Sequence, residues 1–148
     1  MNILADTCFW ISLCDSKEAD HVETEQMMRK ISGNSIHSIL VPHPVLYETL
    51  RTEMVKRHNQ VLLLHSFWGK VQKISDIDYI DEAYRLVERQ AELQNGTASM
   101  VDMAIMLMAR DVRNNVKAIL TRNKRDFARF CQEREIILVE NMATLNAI

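Results

Sequence analysis

One stretch constrains the fold more than any other: Thr97-Ala98-Ser99-Met100-Val101-Asp102-Met103-Ala104-Ile105-Met106-Leu107-Met108-Ala109. Its residues are good helix formers. It is apolar on all sides, the mark of a helix enclosed by other elements rather than laid on a surface. A single carboxylate, Asp102, stands near its start. An isolated buried carboxylate costs several kcal/mol unless it is paired or bound to a cation. Asp102 therefore either serves the helix end or helps build a charged site. Ser99-Met100-Val101-Asp102 supports the first role, because it reads as a capping box with Asp in place of Glu or Gln.

The elements around this helix alternate. Asn2-Ile3-Leu4-Ala5 reads as a short buried strand, and Asp6-Thr7 follows at once. A short helix covers 9–14 and a longer one 19–31, with Gly33 as its C-cap. Ser38-Ile39-Leu40-Val41-Pro42 is the second strand. Pro44 opens a helix that carries Glu48 and runs to about residue 56. A further helix spans 60–68, Gly69 breaks it, and 70–74 is the third strand. Ile80, Ala83, Tyr84, Val87 and Ala91 lie at helical spacing, and Asn95-Gly96 ends that helix. The central helix extends to about residue 113. Then come a fourth strand at 116–121, a helix at 124–134 and a fifth strand at 136–139. Strands interleaved with helices predict an α/β fold with an open, mostly parallel five-stranded sheet, covered on both faces. At 148 residues the chain is expected to form one domain, 1–148.

Composition narrows the function classes. The net charge of −2 gives no global nucleic-acid signal, so any such contact needs a local basic patch. Three cysteines, Cys8, Cys14 and Cys131, lack CxxC spacing and fit core positions in a reducing compartment. The N-terminus carries no signal-peptide pattern, and the run 101–109 is far short of the ~20 residues that span a bilayer. These features predict a cytoplasmic protein with no membrane contact. No Gly-rich phosphate loop is present, and His21, His37, His43, His58 and His65 have no zinc spacing.

Three acids interrupt apolar surroundings: Asp6, Glu48 and Asp102. Each falls at or just after a strand's C-terminal end, or early in a helix that follows one. In a parallel sheet they gather at one edge, where ligands of such folds bind. Three converging carboxylates need a cation to stay ionised, and hard oxygen ligands select Mg²⁺ or Mn²⁺. That constellation suits hydrolysis of a phosphodiester by a metal-activated water. Each acid also has a plainer reading. Asp6 can cap the helix after it, Glu48 can pair with Arg51 or Thr52, and Asp102 can serve its capping box. Thr121 and Asn123 lie where the fourth strand ends. Asp126 stands early in the next helix, which it or Asn123 can cap. Arg122, Lys124, Arg125 and Arg129 form a basic cluster beside the same edge, suited to a polyanion backbone. Lys56, Arg57 and His58 extend it weakly.

Four blocks together resemble the PIN-domain ribonucleases, especially the small VapC-type toxins of toxin–antitoxin pairs. They are Ile3-Leu4-Ala5-Asp6-Thr7, Val45-Leu46-Tyr47-Glu48-Thr49-Leu50, Ser99-Met100-Val101-Asp102-Met103-Ala104 and Leu120-Thr121-Arg122-Asn123-Lys124-Arg125-Asp126-Phe127. The resemblance implies a three-layer PIN-like fold and Mg²⁺- or Mn²⁺-dependent endonucleolytic cleavage of RNA. It implies Asp6, Glu48 and Asp102 as catalytic metal ligands. Asp126 and Asn123 would share a fourth place, with Thr7, Ser99 and Thr121 in support. It also implies a cognate antitoxin and a homodimer, for which Phe67-Trp68 and the Met-rich segments offer an apolar surface. Many relatives carry Asp where Asn123 stands, which leaves the fourth position open between Asn123 and Asp126.

Two rivals remain at this point. A PIN-like fold can serve as a non-catalytic RNA- or protein-binding module, or as a housekeeping RNA-processing nuclease. A phosphoacceptor receiver domain would use Asp76 after the third strand. It would also need an acidic pair where Asp6-Thr7 stands and a Lys after the fifth strand, and neither is present.

Overall fold

The computed structural model describes residues 1–94 and 98–148. Five strands form one sheet: β1 (Asn2–Ala5), β2 (Ser38–Pro42), β3 (Gln72–Ile74), β4 (Val116–Leu120) and β5 (Ile137–Val139). Every pairing is parallel, and the order is β3-β2-β1-β4-β5. The switch in strand order falls between β1 and β4, and the crevice outside such a switch is where ligands bind in open α/β sheets. A receiver domain has the order 2-1-3-4-5, so the topology removes that rival. β1 lies at the centre, and Ile3, Leu4 and Ala5 are fully buried. That is the environment a continuous apolar strand requires.

The helices are α1 (Thr7–Cys14), α2 (His21–Ser32), α3 (His43–Thr49), α4 (His58–Trp68), α5 (Ile80–Glu92), α6 (Met100–Arg110), α7 (Lys124–Arg134) and α8 (Met142–Leu145). α1 packs against α2, α3 and α4, while α6 packs against α5, α7 and β4. Right-handed crossovers place these two groups on opposite faces of the sheet.

The central helix explains its own composition. Ile105, Met108 and Ala109, at i, i+3 and i+4, join the main core with Leu4, Ile119 and Phe127. Met103 and Leu107, one turn apart on another face, close a second cluster with Ala83 of α5. A helix with two apolar stripes must be apolar nearly all round. Each large side chain buried there contributes roughly 1.5–3 kcal/mol.

The elements depart from expectation at several points. The helix carrying Glu48 stops at Thr49, and a separate 3-10 turn covers Glu53–Lys56. The Thr49 hydroxyl donates to the Val45 carbonyl (2.7 Å) and that of Thr52 to the Thr49 carbonyl (2.8 Å), the side-chain competition that weakens a helix end. α6 ends at Arg110 because Asp111 turns extended and caps a 3-10 turn, Val112–Asn114, by accepting from the Arg113 N–H. α8 was not expected. It begins with an Asn141–Thr144 capping box. The Asn95-Gly96 stop lies outside the described residues. Phe67 and Trp68 do not form a surface. Phe67 is partly buried against the core, and Trp68 is buried and meets Trp10 edge-on. Exposed apolar residues on the helices include Tyr47 on α3, Leu62 and Leu63 on α4, and Ile80 and Tyr84 on α5.

Candidate active site

The site grows from the register of β1 and β4. Ala5 pairs with Leu120, and the Asp6 N–H donates to the Leu120 carbonyl (3.0 Å), so Asp6 and Thr121 leave the sheet side by side. α1 starts with no intervening loop. Asp6 is its N-cap, with Oδ1 accepting from the Thr7 N–H at 2.7 Å. Oδ2 accepts from the Thr121 hydroxyl (2.7 Å) and from the Cys8 thiol (3.3 Å). Asp6 is only 5% exposed, and among the described residues no cation pairs with it. Burial raises its pKa above the ordinary 3.8, three hydrogen bonds oppose that rise, and the nearby charge of Asp102 adds to it.

Asp102 sits at N3 of α6. Its Oδ2 accepts from the Ser99 N–H (2.9 Å), while its own N–H donates to Ser99 Oγ (3.1 Å). The capping reading is therefore correct for both Asp6 and Asp102. Neither cap uses the whole group: among the described residues Asp102 Oδ1 accepts no hydrogen bond. The plain reading of Glu48 fails, because its carboxylate reaches across to α1 and accepts from the Thr7 hydroxyl rather than pairing with Arg51 or Thr52.

Thr121 extends the chain of contacts. Its Oγ accepts from the Asn123 N–H (2.9 Å), and Asn123 Nδ2 donates to Asp126 Oδ2 (2.6 Å). Asn123 holds the N-cap position of α7 without capping through its side chain. Asp126 also receives Arg125 Nε at 3.2 Å. A continuous run of contacts thus links Asp6, Thr121, Asn123 and Asp126.

Three features escaped the sequence reading. Cys8 is not the core residue expected, being only half-buried: its sulfur lies 3.3 Å from Thr121 Oγ1 and accepts from the Arg122 N–H (3.1 Å). Burial and the charge of Asp6 push this thiol up to about 12, so it stays protonated and donates to Asp6. Arg122 faces inward. Its guanidinium pairs with Asp20 (2.8 Å) and Glu23 (3.3 Å) and donates to the Thr24 hydroxyl (3.0 Å), so it fastens the loop after β4 to α2. Lys124, Arg125 and Arg129 remain largely exposed, each beside one acid: Glu140, Asp126 and Glu133. Arg57 does not extend that cluster, because both oxygens of Asp15 hold it.

The donor set fits a hard cation in part. Asp6 and Asp102 are buried oxygen donors with a mutual charge and no cationic partner among the described residues. Glu48 and Asp126 are engaged elsewhere, and among the described residues no three His, Cys, Asp or Glu side chains are gathered to hold a metal ion.

A parallel five-stranded sheet of this order, layered between helices with acids at its C-terminal edge, is a PIN-like α/β fold. Solved structures with the same architecture include VapC20 of Mycobacterium tuberculosis, a toxin that cleaves the sarcin-ricin loop. It has a TM-score of 0.62 and 19% identity, covering 79% of this chain and 86% of that one. VapBC2 of Rickettsia felis, bound to a DNA fragment from its promoter, gives a TM-score of 0.65 at 16% identity, covering 93% and 97%. No protein-family model matches the sequence, and no curated protein matches it. Among the described residues no helix is long and apolar enough to cross a membrane.

Proposed function

We propose that this chain is a Mg²⁺- or Mn²⁺-dependent endoribonuclease of the VapC type, the toxin of a toxin–antitoxin pair. The observation that carries the reading is the Asp6–Asp102 pair: two buried carboxylates beside the strand-order switch, with no Lys or Arg paired to either among the described residues. The likeness of fold to VapC20 and VapBC2 supports it, as do the four sequence blocks. Asp6 and Asp102 would hold the metal, with Glu48 and Asp126 joining directly or through water. When bound, the metal supplies a water of lowered pKa and balances the charge that grows on the phosphate.

The chain's own residues do the rest. The Thr121 and Cys8 contacts orient Asp6, Ser99 orients Asp102, and Thr7 fixes Glu48. Lys124, Arg125 and Arg129 position the RNA backbone, while Arg122 braces the loop they flank. As a toxin the chain would bind a cognate antitoxin, form a homodimer through its exposed apolar helix faces and work in the cytoplasm.

The test is cleavage of a mixed structured RNA by the purified protein with Mg²⁺, with Mn²⁺ and with EDTA, beside Asp102→Asn. We expect cleavage only with metal. The variant should lose at least the 10–100-fold that disturbing the outer partners of a metal site costs, roughly. One observation favours a second reading, a non-catalytic binding module: Glu48 and Asp102 already serve structural contacts. No cleavage in any metal by folded, partner-free protein would select it.

A further inference from the structure

A cavity opens on the same edge of the sheet, on the β2–β3 side of the carboxylates. It measures about 140 Å³ and lies between α3, α5 and α6. Pro44, Ile80, Ala83, Val101 and Ala104 wall it. Two walls touch the site already described: Pro44 stands one helical turn before Glu48 on α3, and Val101 directly precedes Asp102 on α6. Among the described residues Asp76 is the only charged residue that lines it. The Asp76 carbonyl accepts from the N–H groups of Tyr79 (2.8 Å) and Ile80 (2.9 Å), so the turn that carries it is fixed. Its carboxylate accepts no hydrogen bond and joins no ion pair with any described residue.

We propose that this cavity is a pyrimidine pocket that selects cytosine in the RNA strand, with Asp76 as the specificity-determining residue. The inference rests on the reading of the chain as an RNA-cleaving protein, and it names which base lies beside the cleaved bond. Size is the first argument. An apolar cavity of roughly 150 Å³ accommodates one benzene-sized ring, which matches a pyrimidine and leaves a purine's second ring outside. Chemistry is the second. Apolar walls take the faces of a flat ring, and a carboxylate at the rim accepts from the cytosine N4 amino group. Uracil would turn its O4 acceptor toward the same carboxylate. Preorganisation is the third, since the fixed 76–80 turn requires no ordering on binding.

The experiment is titration of the full-length protein with cytidine, uridine, adenosine and guanosine 5′-monophosphates in EDTA, read by methyl NMR at Ile80, Ala83 and Ala104. Cytidine monophosphate should shift these methyls and bind about 5- to 150-fold more tightly than uridine monophosphate, the range of one good base-edge contact. Asp76→Asn should erase most of that preference, and Asp76→Lys should reverse it toward uridine. Both changes lie on a half-buried turn, and unchanged methyl spectra without nucleotide confirm the fold. No shift at these methyls, equal binding of the two pyrimidines, or a preference that survives Asp76→Asn would overturn the proposal. Because no cleavage is read, the outcomes separate. Binding at the pocket in a protein that never cleaves RNA removes the nuclease reading alone. A protein that cleaves RNA with metal yet shows no selective pyrimidine binding at these methyls removes the pocket alone.

Discussion

Asp6 shows how one side chain serves a fold and a site together. One oxygen caps α1 and the other meets Thr121 and Cys8. The acids were legible because carboxylates stand out in apolar sequence and their neighbours fix the local caps. Their partners were not, because the decisive contacts join distant positions. Arg122 reads as an exposed base among bases, yet Asp20 and Glu23, about a hundred positions earlier, hold it. Asp15 and Arg57 repeat the pattern and yield a prediction. Burial alone would raise the Asp15 pKa, but the Lys17 N–H, the Gln60 amide and Arg57 outweigh it and hold the group below the ordinary 3.8. A carboxyl depressed in the folded state adds stability above its unfolded pKa and loses it as pH falls through the folded value. Arg57→Met should therefore cost roughly 1 kcal/mol near neutral pH, an amount set by a partly exposed charged contact. That cost should shrink below about pH 4. Thermal melts of both proteins from pH 7 to pH 3 test this, and a cost constant across the range would refute it.

Elements were legible where period and breaker agree. β2 occupies the residues its Ser-to-Pro run marks, and α2 stops at Gly33. Boundaries failed where a side chain competes for backbone partners, at Thr49 and Asp111. α7 ends at Arg134, where the sequence predicts, although its stop carries no Gly or Asn. Glu135 takes the left-handed conformation there, at φ 55°. A Cβ in that region costs about 1–2 kcal/mol relative to glycine, partly offset because glycine has more freedom to lose on folding. Glu135→Gly should raise the stability by roughly 0.5–1 kcal/mol and the Tm by about 2–4 °C. Scanning calorimetry at fixed pH checks it. A lower Tm would mean that the left-handed turn stores no strain.

On the scale of the whole molecule, parallel pairing turns scattered acids into one edge. Residues 6 and 102 are far apart in sequence, yet each follows an element that points to the same end of the sheet. The alternation of strands and helices predicts that edge, but not how the side chains there are shared between caps and site. Gathering like charges away from water stores an unfavourable term, seen in the raised pKa of Asp6. A divalent cation relieves it in the folded state only, since the unfolded chain does not hold the two acids together. Binding therefore stabilises by RT ln(1 + [L]/Kd), about 1.4 kcal/mol at tenfold the Kd, or roughly 3–6 °C in Tm for a chain of this size. Melts with saturating Mn²⁺ or Mg²⁺ should show this rise over EDTA. NaCl matched for ionic strength should not, because it only screens exposed charge. Asp6→Asn should melt higher than the native protein in EDTA near neutral pH and gain less than about 1 °C from the metal. An equal rise in that variant would place the cation elsewhere on the surface, and no rise in either protein would leave the edge acids as structural caps.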